Sequence, residues 1–152
     1  MEDTQARLDA DVRLAVYRNF AETGRALSPA DLAARFELPP VEIEASLRRL
    51  QDDHHALVLL PGSTYIWMAN PFSALPTSFA VTSGRSSWWG NCIWDSLGIA
   101  ALLNIDADVE TLCPDCGQGL RIEIRDGEPV TDIGLAHFVV PARDWWTDLG
   151  FT

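Results

Sequence analysis

One apolar segment with a single charged side chain places the strongest constraint on the fold of this chain. Residues 93–103 carry Asp95 as their only charge and are long enough for three helical turns. Gly90 breaks the preceding segment, and Asn91 is a favourable helix N-cap. The pattern therefore predicts a buried helix whose first turn contains Asp95.

Cys92 and Asp95 are three residues apart at the start of this helix, so we expect both side chains on one face. A thiol at a helix N-terminus favours its thiolate, because the helix dipole and the free N–H groups stabilise negative charge. Apolar crowding raises the pKa of a carboxyl group. The tryptophans expected to crowd Asp95 are Trp88, Trp89 and Trp94. A second interpretation is a small buried cysteine beside an aspartate that offsets the helix dipole.

The amino-terminal part of the chain predicts three helices and a hairpin. The first helix ends near Gly24, Ser28-Pro29 starts the second, and Pro39-Pro40 starts the third. Residues 57–60 and 65–68 flank a turn and predict a β-hairpin. This order is typical of a winged-helix unit, which we place at residues 1–76.

A second domain is predicted at residues 77–152, after a proline-bounded connector at residues 70–76. Its predicted strands are residues 78–82, 109–112, 120–124 and 136–140, together with the helix at residues 93–103. A helix packed on a small, mostly antiparallel sheet makes the predicted fold class α+β.

Composition narrows the range of partners. Hydrophobic residues make up 47% of the chain, which favours a packed core. The net charge of −11 disfavours a nucleic-acid partner, although an acidic winged-helix regulator stays open as an alternative. The amino terminus is acidic, no apolar run is long enough to span a membrane, and the three cysteines are an odd number. We therefore expect a cytoplasmic protein without a membrane partner.

Cys113 and Cys116 form a Cys-x-x-Cys turn, the spacing found in zinc knuckles. Structural zinc takes four ligands, and the other soft donors do not have knuckle spacing. These other donors are Cys92, His54, His55 and His137. Two free thiols are therefore favoured over a zinc site, and the pair is also a possible mercury ligand. His54 and His55 are expected at the surface, and His137 is expected inside a strand.

The run Asn91-Cys92-Ile93-Trp94-Asp95 resembles the first catalytic motif of the alkylmercury (organomercurial) lyases. The resemblance continues along the chain in the same order. It includes the helical region at residues 13–50, the cysteine turn and strand at residues 113–124, and the segment at residues 136–148.

The resemblance implies that the Cys92 thiolate attacks mercury and that protonated Asp95 gives its proton to the departing carbon. Cys92 and Asp95 would then hold the Hg(II) product until low-molecular-weight thiols remove it. The resemblance implies no required cofactor. The tryptophan cluster would accommodate the organic group of an organomercurial or another soft electrophile.

The sequence departs from the family pattern at the second catalytic cysteine. Its expected place is Phe151-Thr152, so the resemblance is to a divergent or carboxy-terminally short member of the family. The second sulfur ligand of mercury would then come from an exogenous thiol, from Cys113 or from Cys116. The alternative function is a catalytically inactive thiol- or metal-binding or interaction module of the same fold. Trp145 and Trp146 also predict an apolar surface that is open to self-association.

Overall fold

Three helices form the amino-terminal part of the chain in a computed structural model that describes residues 2–130 and 134–147. They are α1 (Glu2–Thr23), α2 (Pro29–Phe36) and α3 (Pro40–Asp52). Ser28 caps α2 as predicted: its hydroxyl accepts from the Asp31 N–H, and the Asp31 carboxylate accepts from the Ser28 N–H. Local capping chemistry thus positions the second helix.

A buried ion pair joins α1 to α3. Arg49 donates two hydrogen bonds to the Asp9 carboxylate, at 2.8 and 2.7 Å, and the Ser46 hydroxyl donates a third at 2.6 Å. Burial acts to raise the pKa of Asp9, but the hydrogen bonds from Arg49 and Ser46 prevail and lower it. The carboxylate is therefore held in its charged form between the two helices.

In the described part of the chain, eight strands form one antiparallel sheet in the order β1-β2-β3-β5-β4-β6-β7-β8. Their bounds are β1 Val58–Leu59, β2 Ile66–Ala69, β3 Phe72–Ser73, β4 Ala80–Ser83, β5 Ser86–Gly90, β6 Ala107–Leu112, β7 Gly119–Arg125 and β8 Glu128–Pro129. The helix α4 (Ile93–Leu103) follows β5, and a 3₁₀ helix spans Ala142–Thr147. The predicted α+β class is confirmed, and α4 has the predicted bounds.

The inner face of the sheet packs against the helices. Val81 pairs with Trp88 on one side and with Val109 on the other, and all three side chains are buried. The indole N–H of Trp88 donates to the backbone oxygens of Phe20 at 2.9 Å and Ala21 at 3.2 Å in α1. This face holds the hydrophobic core and fixes the position of α1 relative to the sheet.

The division at residue 76 stays a prediction. Residue 76 lies between β3 and β4, and both strands belong to the same sheet. The predicted order of three helices and a hairpin is present, with β1 paired to β2. The assignment of this order as a winged helix likewise stays a prediction.

The local structure differs from the predictions in two places. Ser86–Gly90 is a strand that was not predicted. Residues 136–140 form no strand, and His137 is exposed rather than enclosed in the core. Phe138 instead packs against Trp145, with ring centroids 5.3 Å apart, so this apolar run folds onto the next segment and not into the sheet.

None of the helices in the described residues combines the length and the hydropathy needed to cross a bilayer.

Gly90 sits where β5 passes closest to α4. A Cβ at this position would collide with the Ser96 hydroxyl and would lie 2.9 Å from the Ser96 nitrogen. We expect Gly90→Ala to lower the free energy of unfolding by about 1–3 kcal/mol, because α4 must move to relieve the overlap. Urea denaturation measures this change.

Gly98 provides the matched control within α4. A Cβ there would lie 3.5 Å from the Pro71 side chain, an ordinary contact. Gly98→Ala is expected to leave stability unchanged or raise it by up to about 1 kcal/mol, since alanine is the better helix former. Equal effects of the two substitutions would contradict the proposed close approach at Gly90.

Candidate functional site

Cys92 is the N-cap of α4, the position that the sequence analysis assigned to Asn91. The Cys92 backbone is extended, with φ −147°, and its side chain makes no capping hydrogen bond. The Asn91 side chain is engaged elsewhere: its amide nitrogen donates to Asn70 Oδ1 at 3.0 Å and to the Phe72 backbone oxygen at 3.4 Å. This pairing ties the start of α4 to the end of β2 and to β3.

Cys92 and Asp95 open into the same small cavity. Its volume is about 70 Å³. The residues lining it are Met68, Asn70, Asn91, Cys92, Asp95, Phe138 and Trp145. The cavity therefore combines one thiol and one carboxyl group with two amides and an apolar wall.

The pKa of Asp95 is raised from its ordinary value, as predicted. Burial is the largest cause, and hydrogen bonds with the side chains of Asn91 and Cys92 act in the opposite direction without cancelling it. Burial therefore favours the protonated carboxylic acid, the form that donates a proton.

The pKa of Cys92 is also raised, and the expected lowering is wrong. Burial is the largest cause and disfavours the thiolate; the Asp95 charge acts in the same direction. The backbone N–H groups of Asp95 and Trp94 favour the thiolate, as the helix-terminus argument requires, but their effect is smaller than that of burial. Burial thus shifts both the thiol and the carboxyl group towards their neutral forms.

One buried acceptor at the site has no partner. Among the described residues, the Oδ1 atom of Asn91 is buried and accepts no hydrogen bond. Buried amide oxygens are normally paired, so an unpaired one beside a cavity leaves an acceptor for a bound molecule or for a protonated neighbour. The Asn91 side chain also interacts with Asp95.

The three predicted tryptophans lie in different places. Trp88 is buried against α1, and Trp89, the next residue of β5, points to the opposite face of the sheet. Neither lines the cavity at Cys92. Trp94 is 63% exposed and lines two larger cavities next to the site.

A larger groove reaches Asp95 from the other side. It has a volume of about 800 Å³ and runs between α1 and α4. Its lining residues are Ala10, Arg13, Leu14, Tyr17, Asn70, Pro71, Trp94, Asp95, Gly98 and Leu102. Asp95 thus belongs to the walls of both cavities, with a mainly apolar groove on one side and the thiol on the other.

The aromatic wall of the small cavity was not predicted from the sequence. Phe138 and Trp145 come from the segment before and within the 3₁₀ helix and lie against Cys92 and Asp95. The neighbouring Trp146 packs against His55 with the rings tilted and their centroids 4.8 Å apart, so His55 contacts this segment. The available signal was the adjacent pair Trp145-Trp146, which required a surface to pack on.

Cys113 and Cys116 do not line the cavity at Cys92. They lie in the turn between β6 and β7, where Cys113 is half-buried and Cys116 is exposed. Within residues 2–130 and 134–147, no group of three or more Cys, His, Asp or Glu side chains is placed to hold a metal ion. A four-ligand zinc site is therefore unsupported there. Phe151 and Thr152, the expected place of a second catalytic cysteine, lie outside the described residues.

A family model named MerB and described as alkylmercury lyase matches residues 72–150, more than half of the chain. The chain belongs to the alkylmercury lyase family. The predicted resemblance is therefore confirmed, and the match includes Cys92, Asp95, Cys113 and Cys116 as well as the segment with Phe138 and Trp145.

A solved structure described as the mercury-bound form of MerB2 has the same fold, with a TM-score of 0.59 and 15% sequence identity. The alignment covers 84% of this chain and 66% of that chain, so the present chain spans slightly less than two thirds of its length. No curated protein matches the chain.

Asp95 is expected to control the ionisation of Cys92. Its negative charge and its hydrogen bond with the thiol raise the Cys92 pKa, so Asp95→Asn is expected to lower that pKa. The measurement is the pH dependence of iodoacetamide alkylation in a Cys113→Ser/Cys116→Ser background, where Cys92 is the remaining thiol. The alkylation curve of Asp95→Asn is expected to shift to lower pH.

Glu110→Gln removes the same charge from an exposed position on β6 and serves as the control. Its alkylation curve is expected to match that of the parent. An unchanged or upward shift in Asp95→Asn would contradict the assigned contact between the carboxyl group and the thiol.

Proposed function

We propose that this chain cleaves carbon–mercury bonds by protonolysis, with Cys92 as the mercury ligand and Asp95 as the proton donor. The observation that carries the proposal is the shared cavity, in which a thiol lies beside a carboxyl group whose pKa burial raises. Membership of the alkylmercury lyase family supports it, as does the shared fold with a protein crystallised in a mercury-bound form.

In the first step, the sulfur of Cys92 forms a bond to the mercury of R–Hg–X. Mercury is a soft ion and favours thiolate ligands, so its binding displaces the proton of the Cys92 thiol even though burial raises the pKa of that group. The proton leaves with X as HX. X is the thiolate of a low-molecular-weight thiol, which keeps the substrate in solution before binding.

In the second step, the carboxylic acid of Asp95 gives its proton to the carbon of the R group while the carbon–mercury bond breaks. The electron pair of that bond forms the new C–H bond, and R–H leaves. Hg(II) stays bound to the Cys92 sulfur and to the Asp95 carboxylate until external thiols replace these ligands. No change of oxidation state occurs, and the two steps require no cofactor.

The groove between α1 and α4 is the proposed place for the organic group. It meets the small cavity at Asp95. A substrate with mercury at Cys92 would therefore hold its mercury-bound carbon beside the carboxyl group. Trp94 lines this groove and exposes 63% of its surface. Three tryptophans were predicted from the sequence to accommodate the organic group. We propose that Trp94 is the one that contacts it.

Benzene release from phenylmercury in excess monothiol tests the reaction. Cys92→Ser removes the mercury ligand, and Asp95→Asn removes the proton with little change in shape. Each variant is expected to release benzene at least about 100-fold more slowly, which is the lower range for loss of a general acid. Gas chromatography of the headspace measures the product.

Glu110→Gln is the control for the charge change and is expected to keep the parent rate. Turnover by Asp95→Asn at the parent rate would rule out Asp95 as the donor. Turnover by Cys92→Ser at the parent rate would rule out Cys92 as the required ligand.

Trp94→Ala is expected to raise KM for phenylmercury about tenfold and to change kcat less, because the indole binds the organic group away from the reacting bond. Its exposure means that truncation removes little core packing. Val41→Ala, at a position 70% exposed on α3, is the control and is expected to leave KM unchanged. A parent KM in Trp94→Ala would contradict the assigned place of the organic group.

A second candidate function is binding of organomercurials without cleavage. The observation that favours it is that, among the described residues, Cys92 is the one thiol lining the small cavity, so the structure shows no second sulfur there to weaken the carbon–mercury bond. Phenylmercury bound at Cys92, with no benzene released by the parent chain, would support this candidate and contradict protonolysis.

We also propose that the protein acts in the reducing cytoplasm, where monothiols are available as co-reactants. Cys92, Cys113 and Cys116 are free, which is consistent with that compartment. The net charge of −11 disfavours nucleic acid as a partner.

A further inference from the structure

A second pair of sulfur atoms lies in the loop between β6 and β7. Within this loop, the Gly117 N–H donates to the Cys113 backbone oxygen at 2.8 Å, and the Cys113 N–H donates to the Gln118 backbone oxygen at 2.8 Å. Gly117 has φ +71°, a conformation that favours glycine. These backbone bonds fold the loop tightly and hold the Cys113 and Cys116 side chains close together.

The two thiols interact directly and are accessible. Hydrogen bonds from the backbone N–H groups of Cys116 and Asp115, and from the Cys116 thiol, lower the pKa of Cys113. Cys116 is exposed and Cys113 is half-buried. The pair can therefore react with a molecule in solution without any rearrangement of the core.

The sheet places this loop at the same end of its strands as Cys92. Ala80 of β4 pairs with Trp89 of β5 on one side and with Glu110 of β6 on the other. Both neighbours run antiparallel to β4, so β5 and β6 run in the same direction and their carboxyl ends lie on the same side of the sheet. Cys92 follows the end of β5, and Cys113 follows the end of β6, two strand spacings or roughly 10 Å across the sheet.

The donor set suits a two-coordinate soft ion. In the described part of the chain, no third Cys, His, Asp or Glu side chain joins the pair to make a larger metal site. Structural zinc takes four ligands, whereas Hg(II) is stable with two thiolates.

We propose that Cys113 and Cys116 form a two-thiol acceptor site for the Hg(II) product. The choice of ion rests on the proposed function; the pairing of the two thiols does not. The site takes Hg(II) from a complex in which two monothiolates bind the ion. This complex forms when low-molecular-weight thiols remove Hg(II) from Cys92.

The exchange is balanced and involves no oxidation. The Cys113 sulfur bonds to mercury and displaces the first monothiolate, which takes the proton lost by Cys113. The Cys116 sulfur then displaces the second monothiolate, which takes the Cys116 proton. One Hg(II) ion is transferred and two monothiols are released. The second step is intramolecular, so the pair is expected to outcompete free monothiols.

Retention of Hg(II) in the presence of a monothiol tests the site. Cys92→Ser protein is mixed with one equivalent of Hg(II) as its bis(2-mercaptoethanol) complex and dialysed against excess 2-mercaptoethanol, and the bound mercury is measured by mass spectrometry. One equivalent is expected to remain. Cys92→Ser/Cys113→Ser and Cys92→Ser/Cys116→Ser each keep one thiol in the loop and are the matched controls.

Each control is expected to bind Hg(II) about 100-fold more weakly, because a single thiol loses the intramolecular advantage. The loop is held by backbone hydrogen bonds, so serine is expected to preserve its shape. Loss of mercury from Cys92→Ser, or equal retention in either control, would overturn the proposal.

The experiment does not depend on catalysis, because every variant in it lacks Cys92. Failure of benzene release in the parent chain would count against the proposed function and leave this test unchanged. Failure of retention in Cys92→Ser would count against the acceptor site alone.

Discussion

The close approach of Gly90 to Ser96 is the contact on which the candidate site depends. Ser96 is fully buried, and its hydroxyl donates to the Cys92 backbone oxygen at 2.9 Å. Since Gly90 has no side chain, the first turn of α4 can lie directly against the end of β5. This arrangement places Cys92 and Asp95 in the lining of the small cavity, together with Asn70 and the aromatic wall.

Burial of that first turn also sets the chemistry. It raises the pKa of both Cys92 and Asp95, which shifts both groups towards their proton-bearing forms. A carboxyl group shifted in this direction is suited to give a proton to carbon. A thiol that keeps its proton is suited to react when a soft metal displaces that proton, which limits reaction with ordinary electrophiles.

The features that sequence predicted well depend on nearby residues. The bounds of α4 follow from the apolar run after Gly90, and the start of α2 follows from the Ser28 cap. The pairing of Cys92 with Asp95 follows from helical spacing. The features it missed depend on distant contacts. The strand β5 is defined by its partners β3 and β4, and the wall of the small cavity includes Phe138, more than 40 residues after Cys92.

The Cys92 pKa shows the same division between local and distant effects. Burial by the rest of the fold raises this pKa more than the backbone N–H groups of Asp95 and Trp94 at the helix N-terminus lower it. The measurement that most directly tests the central claim is a carbon-13 NMR titration of the Asp95 carboxyl group in the intact chain. Burial predicts a midpoint above the ordinary pKa of aspartate. A midpoint at or below that value would contradict its assignment as the proton donor.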